Sequence, residues 1–427
     1  MIYLLLLSII GWGVMNSYVF DKFAENRGAR FGSWQAIVAG FYLVLMCTQY
    51  WPIEGGGTSM VKVVAMCLSP LVLLFSLRYG VHRKVILCVG ACLGWKITVG
   101  CLQNTPFRME TLAYSIAFFL TYMMFYTLVY NDCFTLKKAR TLLEALLWAY
   151  IIVLLIQQAY SLSGGGLLPL INLNDRIHVL KCQSLSLEPS HSGRILGAVF
   201  YALLKIWEYQ SGKRISIGEL WTKHRWLTTG FLYAMLSMQS ATAIFVLLLL
   251  MLYFFSWKYV LPIIMLFVLL PNIAEVIGSH ELERVLNVME SSTSGDIDEV
   301  VEADGSAAYR VAPIIGMLNA DYSDIHLWIG YGIDTSHRIY VDNPYALAER
   351  LPGVLDYGLI DYLLGLVLLW CCCVQPVFSL PTLMFFCGVG GATLNGAYGW
   401  GILMIFTIAS YFYRQHNERK IVIDDGK

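Results

Sequence analysis

Two short polar stretches contain the residue types that could act on an anionic ligand. The first reads Ser186-Leu-Glu188-Pro-Ser190-His191-Ser-Gly-Arg194 and comes directly before a long apolar run. We predict that Ser190 is the N-cap of a helix whose free N–H groups and partial positive charge combine with Arg194, in the first turn beside His191, to bind phosphate or pyrophosphate. Glu188 is placed to act as a base or to orient one. The local pattern equally allows Arg194 to snorkel towards water while Glu188 caps the helix.

The second stretch is the polar segment 278–350, in which Arg310 is a lone cation on an apolar helical segment capped by Ser306. Arg310 could hold an anionic leaving group, or it could form an ordinary ion pair with the acidic run 296–304. His337 could be an acid or base, or a plain surface residue. Other candidate binding or reacting residues of this segment are Tyr309, Arg338, Asp342, Asn343 and Tyr345.

Two further charged features have a structural and a functional interpretation. Asp296-Ile-Asp298 has the spacing of a metal-binding pair, but the other ligands are missing around it, so we predict an acidic linker and no metal site. Lys96 lies inside an apolar run, where a buried charge is functional by default. Because that run is short, Lys96 could also snorkel.

The composition indicates what must position these residues. The chain has 427 residues, of which 58% are hydrophobic and 14% charged, whereas soluble domains carry about 25% charged residues. Long apolar runs recur along most of the chain, and the short alternating segments of a β-barrel are absent from the sequence. We therefore predict an all-α polytopic membrane protein. The formal net charge of zero argues against a nucleic-acid partner.

About thirteen membrane-spanning helices are expected, within a range of roughly 12–14, because each needs about 20 apolar residues. The predicted spans are 2–20, 34–51, 60–77, 85–102, 109–130, 141–162, 190–209, 226–239, 241–255, 258–274, 353–374, 380–395 and 400–413. Residues 1–277 form a bundle with an outer loop at 163–189. Residues 278–350 form a partly helical cap, and 351–427 hold the last helices and a tail.

The distribution of basic residues predicts the orientation of the bundle. Every second short loop is basic, as at Lys137, Lys138 and Arg140, whereas 52–59 between two such loops has no lysine or arginine. Basic loops stay on the cytoplasmic side. The C-terminal tail is therefore predicted to be cytoplasmic, and the loops 163–189 and 278–350 to face the exterior.

These motifs together resemble those of bacterial Wzy-type polymerases of O-antigen and capsular polysaccharide. The stretch around Glu188-Pro-Ser190 resembles their "EPS" segment, and Arg310 followed by Gly330-Tyr-Gly332 resembles the arginine and "G-x-G" part of their large periplasmic loop. Asp342-Asn343-Pro-Tyr345, with Asp356-Tyr-Gly358 after it, is similar to a motif of the wider polymerase and ligase superfamily. Asp342 stands where that superfamily usually has histidine, and the ligase branch is associated with that histidine.

The resemblance implies an inner-membrane enzyme that joins oligosaccharide repeat units carried on undecaprenyl pyrophosphate, at the periplasmic face, without a metal or other cofactor. It implies that Arg310 and Arg194 hold the pyrophosphates, and that Glu188, His337 or Asp342 supplies the base. Expected partners are the lipid-linked oligosaccharide, the bilayer, a chain-length regulator and a flippase. An O-antigen ligase, a flippase or transporter of the same lipid-linked sugar, and an assembly protein without chemistry are the alternatives.

Overall fold

This computed structural model of the protein describes residues 33–48, 59–76, 81–103, 105–164, 181–254, 315–342, 351–373 and 396–424. Within these ranges the chain is helical, with no strand. The helices are α1 (Ser33–Cys47), α2 (Met60–Ser76), α3 (Arg83–Leu102), α4 (Met109–Tyr130), α5 (Leu136–Leu162), α6 (Pro189–Ser211), α7 (Ile217–Lys223), α8 (Arg225–Ser237), α9 (Ala241–Met251), α10 (Ile325–Ile329), α11 (Thr335–Asp342), α12 (Pro352–Leu368) and α13 (Ala397–Asp424).

Local sequence accounts for several helix ends. Thr135 caps α5 by accepting a hydrogen bond from the backbone N–H of Lys138. Ser216 and Glu219 form a capping box at the start of α7. Helix α6 ends at Gly212, whose φ of 69° is a left-handed conformation that glycine adopts without strain.

Among the described residues, four helices are long and apolar enough to cross a membrane: Arg83–Leu102, Met109–Tyr130, Leu136–Leu162 and Pro352–Cys372. Shorter apolar helices occur at Trp34–Cys47, Val61–Ser76 and Thr242–Phe254. Large apolar side chains such as Leu74, Phe75 and Leu87 are exposed on the outside of the bundle. A surface of this kind is stable against lipid and unfavourable against water. The prediction of an all-α protein is confirmed for the described residues, and the long apolar helices support its membrane character, whereas the number of about thirteen spans stays a prediction.

Helix α13 is central to the bundle and packs against α1, α4 and α6. The Trp400 ring stacks on Phe118 and meets Phe119 edge-on in the core. A Cβ atom at Gly401 would lie 2.9 Å from the Cys47 sulfur, so the glycine is what lets α1 approach α13. Small residues at such crossings are typical of helices packed in a membrane, where close contact supplies much of the association energy.

The predicted spans that fall within the described residues are helical, but their bounds differ. Helix α5 begins at Leu136, five residues before the predicted start at 141, because Thr135 provides the cap. Helix α12 is interrupted at Gly358, which has φ 75° and ψ 175°, and it ends in a π-helical turn at Leu369–Cys373. The predicted spans 2–20, 258–274 and 380–395 lie outside the described residues, as do the acidic linker 296–304 and the segment bearing Arg310.

Candidate anion-binding site

The segment before α6 is buried inside the helical bundle rather than lying on its surface. Residues 182–186 are all buried. The Ser184 N–H donates to Gln157 Oε1 at 2.7 Å, and Gln157 Nε2 donates to the Ser184 carbonyl at 3.1 Å. Because buried backbone groups need hydrogen-bond partners, one carboxamide from α5 makes this burial possible. These two hydrogen bonds hold the backbone at Ser184 in place, four residues before Glu188.

The predicted N-cap at Ser190 is wrong, because α6 begins at Pro189 and its N-cap residue is Glu188, two residues earlier. Proline is favoured at the first helical position, since its ring presets φ and its missing N–H has no partner there. Glu188 occupies the N-cap position, without a capping hydrogen bond from its side chain. The Ser190 hydroxyl donates instead to Glu188 Oε2 at 3.1 Å and so orients the carboxylate.

Glu188, His191 and Tyr398 form one polar and aromatic group at the start of α6. The His191 ring stacks on Tyr398, with a centroid separation of 4.3 Å and an interplanar angle of 16°. His191 Nε2 lies 4.0 Å from Glu188 Oε2. The Glu188 side chain is exposed, whereas that of His191 is mostly covered. An exposed carboxylate beside an imidazole could accept or relay a proton.

Arg194 is buried next to this group, in the second turn of α6 rather than the predicted first turn. The residue is only 6% exposed, so its side chain does not snorkel. Its Nη1 donates to the Tyr398 hydroxyl at 3.1 Å, and its Cζ lies 5.6 Å from the Tyr398 ring centroid. In the part of the chain that the structure describes, its Nε is buried without a hydrogen-bond partner and no carboxylate forms an ion pair with it.

Helix α9 begins beside Arg194. A Cβ atom at Gly193 would lie 2.6 Å from the Cβ of Ala243, so the glycine allows the starts of α6 and α9 to touch. The Thr242 hydroxyl at this contact is buried and has no partner among the described residues. We call the region where α6, α9 and α13 begin the Arg194 end of the bundle. Two helix N-termini that meet beside a buried guanidinium favour negative charge.

A second cluster joins the Gly330-Tyr331-Gly332 turn to the break in α12. The Tyr331 N–H donates to the Leu355 carbonyl at 2.7 Å. Gly330 and Gly358 both have positive φ, and a Cβ atom at Gly358 would lie 2.1 Å from the Trp328 carbonyl oxygen. Only glycine fits there, because the two backbones pass in direct contact. The motif residues therefore pack against each other.

Lys96 is buried in this second cluster, where it pairs with a buried carboxylate. Its Nζ lies 2.9 Å from Asp361 Oδ2 and 3.5 Å from the centroid of the Tyr357 ring. The sequence allowed Lys96 either to be buried or to snorkel towards water, and the structure shows that it is buried. The neighbouring Trp95 Nε1 donates to the Tyr357 carbonyl at 2.7 Å, which binds α3 to the interrupted helix α12.

Hydrogen bonds to the Asp334 carboxylate connect the turn before α11 to the start of α4. Its carboxylate accepts hydrogen bonds from the Arg108 guanidinium at 2.9 Å, the Arg108 backbone N–H at 2.7 Å and the Thr111 hydroxyl at 2.7 Å. Burial would raise the pKa of Asp334, but these hydrogen bonds, together with the attraction of Arg108, outweigh burial and lower it from 3.8 to about 2.

This depressed pKa predicts a loss of stability in acid. The Asp334 carboxylate contributes stability at pH values above its unfolded pKa of 3.8, and the contribution is lost as the pH falls towards about 2. Thermal unfolding in detergent should show a lower midpoint for Asp334→Asn than for wild type at pH 6. The difference between the two should shrink between about pH 4 and pH 2. A difference that is independent of pH in this window would contradict the prediction.

The remaining predicted site residues belong to the second cluster or fall outside the described residues. His337 and Asp342 are exposed on α11. Arg338 Nη2 donates to the Thr335 hydroxyl at 3.1 Å on the same helix. These three residues lie on different helices from Glu188 and Arg194. Those outside the described residues are Tyr309, Arg310, Asn343 and Tyr345.

Sequence reasoning missed Tyr398 and Gln157, which complete the Arg194 end. Nothing near Tyr398 in the sequence marks it, since it is one of 26 tyrosines and lies 204 positions from its partner Arg194. Gln157 carried a usable signal, because an amide inside a predicted span must find a polar partner. Asp361 carried a similar signal in the sequence, because a carboxylate inside an apolar run needs a counter-charge.

Comparison with known proteins adds no relative: no family model matches the chain, and neither a curated protein nor a solved structure matches it.

Proposed function

We propose that this chain is a membrane glycosyltransferase that polymerises oligosaccharide repeat units carried on undecaprenyl pyrophosphate at the outer face of the cytoplasmic membrane. The observation that carries the proposal is Arg194, a buried guanidinium without a carboxylate partner among the described residues. A buried cation of this kind is costly unless an anion joins it. A diphosphate would supply that anion and would use the two-pronged geometry of the guanidinium.

The proposed reaction needs positioning and charge compensation more than covalent help from the protein. The acceptor hydroxyl oxygen forms a bond to the anomeric carbon of the donor sugar, and the bond from that carbon to the pyrophosphate oxygen breaks. The bonding electrons leave with the lipid pyrophosphate, whose developing charge Arg194 stabilises. The hydroxyl proton passes to a base. Glu188 is the base that the described geometry favours, because it is exposed, oriented by Ser190 and adjacent to His191.

Sequence resemblance adds Arg310 as a second arginine on the pyrophosphates, with His337 and Asp342 as other proposed acid–base groups. Arg310 lies outside the described residues, and His337 and Asp342 are exposed on α11. In the proposal the second cluster holds the cap segment in place, through Lys96, Asp361 and the paired glycines, while chemistry takes place at the Arg194 end.

Export of the same lipid-linked sugar is a second candidate function, which one observation favours. Helix α12 is broken at Gly358, and the buried Lys96–Asp361 pair lies close to the break. Transporters often place substrate or ion sites at broken membrane helices. The Lys96–Asp361 pair is satisfied within the protein, however, whereas Arg194 has no carboxylate partner among the described residues, so the polymerase proposal accounts for more of the structure.

Purified protein in proteoliposomes provides the test. We expect it to extend lipid-linked repeat units, isolated from the host strain with this gene deleted, into chains of many units on a gel. The same extension is expected in excess EDTA, because arginines rather than a metal compensate the pyrophosphate charge. Transfer of substrate across the bilayer without chain extension would favour the exporter. Extension that EDTA abolishes and magnesium or manganese restores would contradict the metal-independent mechanism.

A further inference from the structure

A second buried cation lies on α2. Lys62 is the third residue of this helix and is 6% exposed. It shares a helix face with the buried residues Ala65 and Ser69, and the Ala65 carbonyl accepts a hydrogen bond from Tyr42 of α1. Lys62 therefore points into the bundle and not towards lipid. No carboxylate in the described part of the chain pairs with its ammonium group, so Lys62, like Arg194, lacks a counter-charge.

Contacts through α1 and α13 place Lys62 at the Arg194 end of the bundle. Helix α1 lies beside α2, because the Tyr42 hydroxyl donates to the Ala65 carbonyl, about one turn after Lys62, and α1 ends at Cys47, five residues after Tyr42. Cys47 in turn packs against Gly401 of α13, where a Cβ atom would lie 2.9 Å from the sulfur. Gly401 lies one helical turn after Tyr398, the residue whose hydroxyl accepts a hydrogen bond from Arg194.

A separate set of contacts links Cys47 to the loop that carries Glu188. The Tyr150 hydroxyl donates to the Cys47 carbonyl and lies 3.1 Å from the Ser186 hydroxyl, two residues before Glu188. The end of α1 beside Lys62 thus contacts both the helix that carries Tyr398 and, through Tyr150, the loop that carries Glu188.

A buried hydroxyl group lies near each of the two cations, Lys62 and Arg194. Ser59 directly precedes α2, and Thr242 is the second residue of α9. The side-chain oxygens of both are buried and have no hydrogen-bond partner among the described residues. Buried polar atoms are normally satisfied, so an unsatisfied hydroxyl near each cation is consistent with a ligand that has several acceptor oxygens.

We propose that Lys62 and Arg194 are the two cationic arms of one site for a lipid-linked diphosphate, in which each arm binds one of the two phosphates. This inference rests on the proposed function, since it assigns the ligand of the same site. Two cations without a carboxylate and two hydroxyl groups without a partner, counted among the described residues, match the charge and the acceptor oxygens of a diphosphate. A monophosphate would leave one cation buried without a counter-charge, so the site should discriminate between the two ligands.

Binding to the purified full-length protein in detergent tests this inference, with undecaprenyl pyrophosphate, undecaprenyl phosphate and inorganic pyrophosphate as separate probes. Wild type should prefer undecaprenyl pyrophosphate over undecaprenyl phosphate by about ten- to hundredfold, the range expected for hydrogen bonds to a charged group. Lys62→Met should remove most of that preference, with little change in the binding of the monophosphate. Lys62→Arg, which keeps the positive charge, should retain part of the preference for undecaprenyl pyrophosphate. Tight binding of inorganic pyrophosphate would identify a free anion, rather than a lipid, as the ligand.

Lys205→Met is the matched control. Lys205 pairs with Glu208 near the far end of α6, 11 residues from Arg194 and hence about 16 Å along the helix. This variant should keep the wild-type preference. Folding of all variants is checked by thermal unfolding.

The outcomes separate this inference from the proposed function. A Lys62→Met protein that is folded and retains the full preference, while Arg194→Met loses it, would overturn the role of Lys62 and leave the polymerase proposal standing. Wild-type protein that extends chains but binds both lipids equally would overturn the two-armed site. Wild-type protein that binds neither lipid and does not extend chains would overturn both.

Discussion

Replacement of Arg194 by lysine is expected to lower the rate of chain extension by about a hundred- to thousandfold, the usual effect of removing one charged hydrogen-bonding group from a developing charge. The reason is geometric. The guanidinium already gives one N–H to Tyr398 and retains a buried Nε without a partner among the described residues. A lysine ammonium is a single point charge. It cannot donate hydrogen bonds to Tyr398 and a phosphate in the fixed planar geometry of a guanidinium.

The measurement is chain length on a gel, from proteoliposomes and from the gene-deleted host strain carrying each variant. Arg140→Lys is the matched control, because Arg140 is a partly exposed arginine paired with Glu144 at 2.8 Å, and it should give wild-type chains. Tyr398→Phe keeps the stacked ring and removes only the hydroxyl, so it should cost less than Arg194→Lys. Wild-type chain lengths from a folded Arg194→Lys protein would show that Arg194 has no part in the reaction.

Replacement of Lys96 by methionine is expected to destabilise the protein by about 3–5 kcal/mol, because it leaves a buried carboxylate without its counter-charge. Lys96 and Asp361 are both buried and lie 2.9 Å apart, and the ammonium also lies over the Tyr357 ring. The free energy of unfolding can be measured in mixed micelles by titration with sodium dodecyl sulfate. Asp361→Leu alone should also destabilise, since it leaves the ammonium of Lys96 buried without a counter-charge.

The double variant Lys96→Met with Asp361→Leu distinguishes charge from packing. Replacement of a whole buried ion pair by apolar residues is often neutral or stabilising, so the double variant should recover most of the lost stability. Lys205→Met removes a more exposed pair and should change the free energy of unfolding by less than about 1 kcal/mol. If the double variant is as unstable as Lys96→Met alone, the loss comes from packing and the explanation by charge is wrong.

The sequence by itself was enough to predict the helical membrane architecture. Apolar runs of about 20 residues have one stable arrangement in a bilayer, because a helix satisfies every backbone hydrogen bond within its own segment. The predicted span 109–130 coincides with the helix Met109–Tyr130. The bounds of α5 and α6 were missed by one to five residues, because the Thr135 cap and Pro189 at the first helical position set helix starts that hydropathy does not register.

The sequence also marked Glu188, His191 and Arg194 as a group, since each is three residues from the next and residues three apart are neighbours on a helix. It could not show whether Arg194 would reach water or be buried, because that depends on what packs beside it. The tertiary structure decided this through Tyr398, which lies 204 positions away and covers the guanidinium. It likewise paired Lys96 with Asp361 across 265 positions. Pairings of this kind depend on how helices cross, and helix crossing is a property of the folded bundle that no local pattern encodes.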